Sequence, residues 1–284
     1  MKNNFSTREA AMVSYTFLSW ILIFSIIFTA CGDKGQQDKS KILRKDILKS
    51  SLNKLAEKRI FFGHRSVGNN ILQGIDDILT QYPGIHLKIL KYEAVKRPKD
   101  KGIIHAWIDQ NGSPQSIADD YTRMVEKIPG KDMDFALIRF TPWYGKTDMD
   151  EIFKDYTIAI EQLKQRHPKT VFIHGTFPLN HSKTSFKTWI KKLIGKKEIW
   201  EYDGNILANR FNEKLRDNYL GKQPFYNLEL IQSTYPDGRR SQFTLDGKKY
   251  FNLIKDYTYD NTHLNEKGRQ MAAERLLTLL DSIN

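Results

Sequence analysis

From Arg59 onward, the apolar positions of the chain switch repeatedly between two periods. Arg59–Phe62 is a short run of strand type that ends at Gly63, and Asn69–Gln81 then carries Ile71, Leu72, Ile75 and Leu79 at helical spacing. His86–Tyr92 reads as a second strand, with Ile85, Leu87 and Ile89 alternating, and Ser116–Ile128 as a helix. Asp134–Phe140 has the composition of a buried strand, 149–166 that of a long helix through Ile152, Tyr156, Ile160 and Leu163, and Thr170–His174 that of the next strand. Leu207, Phe211, Leu215 and Tyr219 mark another helix, Phe225–Ile231 a strand, and Glu266–Leu280 a closing helix. Such alternation predicts an α/β domain over residues 43–284: a three-layer α/β/α sandwich with a mainly parallel central sheet. The stretch 239–252 breaks the pattern. Its Asp246-Gly247 is a hairpin turn signal, and it reads as a small β-hairpin insertion at the rim of a cleft.

The first thirty residues follow a different pattern. Lys2 and Arg8 precede a stretch without charge from Ala10 through Gly32, densest in apolar residues between Phe17 and Phe28. A positive start, a short apolar block and small residues before a break are the marks of a secretory signal. The break here, Phe28-Thr29-Ala30-Cys31, resembles a lipobox, the site at which a bacterial lipoprotein is cleaved and its new N-terminal cysteine lipidated. Phe28 stands where Leu is commoner. That resemblance implies a signal peptide over 1–30, lipidation of Cys31, a flexible tether over 31–42 and a location outside the cytoplasm. Gly32 further resembles the sorting position of lipoproteins bound for an outer membrane. An uncleaved membrane-spanning anchor is the alternative. Cys31 is the only cysteine among 284 residues, so no internal disulfide is possible, and lipidation gives the odd cysteine a purpose.

Charge narrows the partners. The chain carries net +12, all but one of it beyond residue 30, yet Lys88, Lys91, Lys164, Lys191, Lys222 and Lys248 are scattered, with no nucleic-acid signature. No nucleic-acid partner is expected; a basic surface near anionic headgroups or acidic glycans accounts for the balance. His86, His105, His167, His174 and His181 show no short ligand spacing, so neither a metal nor a cofactor is expected.

Three segments carry candidate chemistry. Gly63-His64-Arg65-Ser66-Val67-Gly68 lies between a strand and a helix, where open parallel sheets place their binding sites. A serine there can meet backbone N–H groups that stabilise an oxyanion, although a glycine turn with a capping serine would look the same. Asp260-Asn261-Thr262-His263-Leu264-Asn265-Glu266-Lys267-Gly268 precedes the last helix. An Asp three residues before a His can fix the imidazole tautomer and leave Nε2 free to take a serine proton; satisfying local backbone N–H groups is the plainer role. The third segment, from His105 to Pro114, reads as a turn after the second strand, with Asn111 and Gly112 able to face the same oxyanion; a simple Asn-Gly-Ser-Pro turn is the alternative. His64 and His105 are candidates for the cleft lining, against a packing role. Trp107, Trp143, Tyr144, Trp189 and Trp200 are candidate sugar-stacking rings against a default of core, with Trp143 and Tyr144 best placed.

Together these segments resemble the SGNH (GDSL-type) hydrolases, over about residues 58–280, as a divergent subgroup with Gly-His-x-Ser-Val-Gly in the first block. The resemblance implies Ser66 as nucleophile, His263 as general base, Asp260 as its orienter, and Asn111, Gly112 and the backbone of Ser66 as oxyanion donors. Two departures matter. Ser66 stands three residues after Gly63 rather than two, with His64 intervening, and the usual Gly-x-Asn block would fall at Thr141-Pro142-Trp143. Arg139, near the end of the strand before it, is the substitute candidate for the oxyanion. The expectation is a lipid-anchored serine esterase acting on small-molecule or glycan esters, O-acetyl or other O-acyl groups included. A non-catalytic envelope binding protein on the same fold and an acyltransferase with the same triad are the rivals.

Overall fold

The computed structural model describes residues 46–108, 113–139, 148–182, 200–245 and 247–283. The chain divides into two compact units, Met1–Ile47 and Leu48–Asn284. The signal, Cys31 and the tether fall outside the described residues. Among those described, no helix is long and apolar enough to cross a membrane.

Helix α1 covers 46–56. It is followed by β1 (Arg59–His64), α2 (Ser66–Leu79), β2 (Ile89–Lys91), β3 (Gly102–Trp107), α3 (Pro114–Lys127), β4 (Phe135–Ile138) and α4 (Met149–Arg166). Then come β5 (Val171–Gly175), α5 (Trp200–Tyr219), β6 (Phe225–Tyr226), α6 (Leu228–Ser233), the pair β7 (Gln242–Leu245) and β8 (Lys248–Phe251), and α7 (Glu266–Ser282). Six strands form one parallel sheet in the order β2-β3-β1-β4-β5-β6. α2 packs with α7, while α3 packs with α4 and α4 with α5, which gives the expected three-layer α/β/α sandwich.

β1 is the pivot of this arrangement. Every residue of it is buried, because it lies between β3 and β4 with helices over both faces. The chain leaves β1 toward β2 and β3 on one side and returns to β4 on the other, so the strand order reverses there. The carboxyl ends of β3, β1 and β4 open the crevice that such a reversal creates.

Two expectations change. Residues 102–107 are a strand, so His105 sits inside β3, opposite Phe62 of β1, rather than in a turn. Phe225–Ile231 is strand for two residues only; Asn227 then caps α6, its side chain accepting the Leu230 N–H at 3.0 Å. A short apolar run does not distinguish strand from buried helix, and the asparagine was the deciding signal. The hairpin forms as expected, with Phe243 opposite Tyr250 and Gly247 at φ +75°, and β8 packs against α5. Asn209 accepts the Phe251 N–H at 2.6 Å and donates to the Phe251 carbonyl at 3.0 Å.

Candidate functional site

Ser66 is the first residue of α2, directly after β1 and Arg65. No side chain caps this helix, and its first internal bond runs from Asn69 N–H to the Arg65 carbonyl at 2.9 Å. The N–H groups of Ser66, Val67 and Gly68 therefore precede the helical ladder, at the positive end of the helix. Gly68 lets this turn sit tightly on β1: a Cβ there would lie 2.3 Å from His64 Cβ.

The second piece is the loop before α7. Asp260 Oδ1 accepts the N–H groups of Thr262 and His263 at 2.9 and 2.7 Å, and Oδ2 meets His263 Nδ1 at 2.6 Å. A carboxylate only accepts, so Nδ1 carries the proton and Nε2 is left as the basic nitrogen. Burial pushes the Asp260 carboxyl up, but the hydrogen bonds from the His263 ring and from the His263 and Thr262 backbones outweigh it and hold the group below its ordinary range.

The rest of the motif shapes the loop. Asn261 takes φ +76°, a left-handed conformation that asparagine tolerates, and its carbonyl accepts the His181 N–H at 2.7 Å. Leu264 is buried, Asn265 caps α7 by accepting the Gly268 N–H at 3.1 Å, and a Cβ at Gly268 would strike the Tyr257 carbonyl oxygen.

The two pieces are joined across the chain. Buried Asn70, on α2, accepts the Leu264 N–H at 3.0 Å, one residue past His263. One turn further along, a Cβ on Gly74 would lie 2.3 Å from the Arg269 carbonyl oxygen, and Arg269 pairs with Asp77 through two hydrogen bonds of 2.6 and 3.1 Å. Ser66 and His263 consequently line one cleft of about 490 Å³, together with Asn70, Trp107, Tyr259 and Arg269. Trp107 and Tyr259 are 48% and 63% exposed, and the Tyr259 ring lies nearly parallel to that of His263, with centroids 5.8 Å apart. Tyr259 is an addition to the residues singled out from sequence; its place beside Asp260 was the available signal.

The other expected residues fall differently. Asn111, Gly112, Trp143 and Tyr144 lie outside the described residues, as do Trp189 and Cys31. His64 is buried and does not line the cleft; its Nδ1 is 3.0 Å from the Arg65 carbonyl oxygen and its Nε2 is 2.9 Å from His105 Nδ1. Burial lowers the His64 pKa to about 4 against a raising contribution from the Arg65 carbonyl, and His105 and the Arg139 guanidinium add to the lowering. His105 is also held low, chiefly by burial. Arg139, buried just past β4, donates its N–H to the Gly63 carbonyl at 3.0 Å. Among the described residues, no group of His, Cys, Asp and Glu side chains is arranged to hold a metal ion.

A serine at a helix N-terminus, an imidazole with one nitrogen fixed by a carboxylate, and a shared cleft at the carboxyl edge of a parallel sheet are the parts that acyl transfer to serine requires. No family model matches the chain and no curated protein matches it. Among solved structures it is similar to a GDSL-like lipase from Bacteroides thetaiotaomicron, at 14% identity and TM-score 0.46, covering 85% of this chain and 98% of that one. It is also similar to the periplasmic domain of a lipopolysaccharide acetyltransferase from Salmonella ser. Paratyphi A, at 11% identity and TM-score 0.45, covering 79% and 84%. A family 3 carbohydrate esterase from Clostridium thermocellum is similar at 15% identity and TM-score 0.37, covering 78% and 94%.

Proposed function

We propose that the chain is a serine acyl hydrolase held outside the cytoplasm by lipid on Cys31. The observation that carries the reading is the 2.6 Å bond between His263 Nδ1 and Asp260 in the cleft that Ser66 lines. Ser66 Oγ attacks the ester carbonyl carbon while His263 Nε2 takes its proton. The carbonyl oxygen becomes an oxyanion, supported by the first-turn N–H groups of α2 and by Asn111 and Gly112. Collapse of the adduct expels the alcohol, which receives its proton from His263. Water, activated by the same imidazole, then releases the acid and restores Ser66.

The lipobox-like Phe28-Thr29-Ala30-Cys31 supports the tether, and the envelope location makes O-acetyl and other O-acyl groups on glycans the first substrates to test. An alcohol acceptor in place of water turns the same cycle into acyl transfer, which product analysis with a glycan acceptor separates from hydrolysis. The test of the reading is labelling of the mature protein by a fluorophosphonate probe, expected in the wild type and lost in Ser66→Ala. A folded wild type that neither labels nor hydrolyses a short-chain aryl ester leaves a binding protein on this fold. Metabolic labelling with a fatty-acid analogue, lost in Cys31→Ala, tests the tether.

A further inference from the structure

Between Ser66 and Gly63 stand two residues where the resembling family has one, and the extra histidine is bound into the start of α2. Buried His64 points Nδ1 at the Arg65 carbonyl oxygen, 3.0 Å away, and that oxygen only accepts. Nδ1 therefore carries the proton, and Nε2 of the neutral ring is an acceptor. Its partner at 2.9 Å is His105 Nδ1, which must then donate. The protons thus run in one direction, from His105 to His64 to the Arg65 carbonyl. Burial supports this assignment: with a pKa of about 4, His64 is neutral at pH 7 and keeps one donor and one acceptor.

The Arg65 carbonyl and the Ser66 N–H belong to the same peptide unit. In a planar trans peptide the two point in opposite directions, so fixing the oxygen fixes the N–H. The oxygen also accepts the Asn69 N–H at 2.9 Å. Two donors on one carbonyl polarise the peptide and strengthen its N–H as a donor. The helix has no side-chain cap, and a Cβ at Gly68 would lie 2.3 Å from His64 Cβ, so the imidazole is pressed against the turn it orients.

We propose that His64 and His105 are a positioning pair that holds the Arg65–Ser66 peptide with its N–H directed at the oxyanion of the acyl adduct. The proposal rests on Ser66 being the nucleophile. It gives the Gly-His-x-Ser-Val-Gly segment a purpose: histidine supplies from beneath the turn part of the oxyanion geometry that the chain, without Gly-x-Asn after β4, builds differently.

The experiment compares wild type, His64→Leu, His64→Asn and His105→Leu, each confirmed as folded by circular dichroism and thermal unfolding. It measures kcat and KM on a short-chain aryl ester and the inhibition constant of benzeneboronic acid, whose adduct with serine imitates the tetrahedral state. Losing an oxyanion donor costs on the order of 100- to 1,000-fold in kcat, and a misdirected one less. His64→Leu should lower kcat roughly 10- to 100-fold with KM nearly unchanged, and should weaken the boronate by a similar factor. His64→Asn, whose amide N–H can reach the same carbonyl, should recover most of that loss, and His105→Leu should show a smaller loss of the same kind. A purely structural histidine would shift thermal stability without moving boronate affinity and kcat together. Folded His64→Leu with wild-type kcat and boronate affinity overturns the proposal. If that variant does not fold, folded His105→Leu with wild-type values overturns it equally. Absence of labelling and boronate binding in the wild type would instead remove the serine reading, and this proposal with it.

Discussion

His263 and His64 each turn Nδ1 toward an oxygen, at 2.6 Å from Asp260 Oδ2 and 3.0 Å from the Arg65 carbonyl. The surroundings then assign them opposite work. Asp260 is charged and two-fifths exposed, and His263 lines the open cleft, so in the proposed reaction the carboxylate would stabilise the proton that the ring gains. The Arg65 carbonyl is neutral, His64 is 3% exposed, and the Arg139 guanidinium disfavours a second proton on it. In the proposed reaction one imidazole exchanges protons and the other refuses them. What separates them is the charge of the oxygen and access to water, not the hydrogen-bonded nitrogen.

The largest effects should fall on the exchanging histidine. His263→Ala removes the proposed base and should lower kcat by about 10⁴-fold or more, with loss of fluorophosphonate labelling. Wild-type labelling in this variant would show that the base is elsewhere. Asp260→Asn keeps the shape but no longer favours the Nδ1–H tautomer, and should cost roughly 10²- to 10⁴-fold in kcat on an aryl ester. A loss below threefold would make Asp260 a loop-capping residue only, since it also accepts two backbone N–H groups.

How far this contrast was legible in the sequence depended on the range of the contacts. The Asp-x-x-His spacing is local, so the His263–Asp260 bond could be expected from it. The Met149–Arg166 helix, bounded by Asp148 as its cap and by a clear stripe, fell where periodicity put it. The partner of His64 is 41 residues away, and the strand that carries it was hidden because a polar ring interrupts its apolar run. The same holds for Asn205, Asn209 and Asn212 on α5, which the apolar stripe of that helix does not single out. They are buried because they satisfy backbone groups of Phe177, Asn180 and Phe251, which only the fold brings near. A buried polar group declares itself through its partner, and a sequence does not show distant partners.

Refusal of protons has a measurable cost in acid. His64 and His174 both have folded pKa values lowered to about 4, chiefly by burial; His174 lies between Tyr156 Oη at 2.5 Å and Gln223 Oε1 at 2.7 Å. The unfolded chain takes up protons first as pH falls, because its histidines titrate near about 6.5. Stability is therefore full above that value, declines as pH drops through 6.5 toward 4, and changes no further from this source below it. Each ring should withhold roughly 3 kcal/mol across that window. Urea unfolding at pH 7 and pH 4.5 measures the loss, and His174→Phe should remove its share of the slope. An unchanged slope in that variant would show that His174 already exchanges protons in the native state.

The smallest effect expected tests whether the two halves of the site act separately. Asn70 acts on the side of His263: it accepts the Leu264 N–H next to that residue, whereas His64 and His105 bond to each other and His64 to the Arg65 carbonyl. Asn70→Ala leaves a buried N–H unpaired, a cost of about 1–3 kcal/mol in stability. The Gly74–Arg269 contact and the Arg269–Asp77 pair should still keep α2 on α7. The proposed base then loses one of its supports, and kcat should fall about tenfold with KM little changed. Combined with His64→Leu, the two losses in kcat should multiply, agreeing with the product to within about 0.5 kcal/mol. A double variant no slower than His64→Leu alone would mean that the refusing histidine and the exchanging one are parts of a single unit, and that α2, rather than either ring, is what positions Ser66.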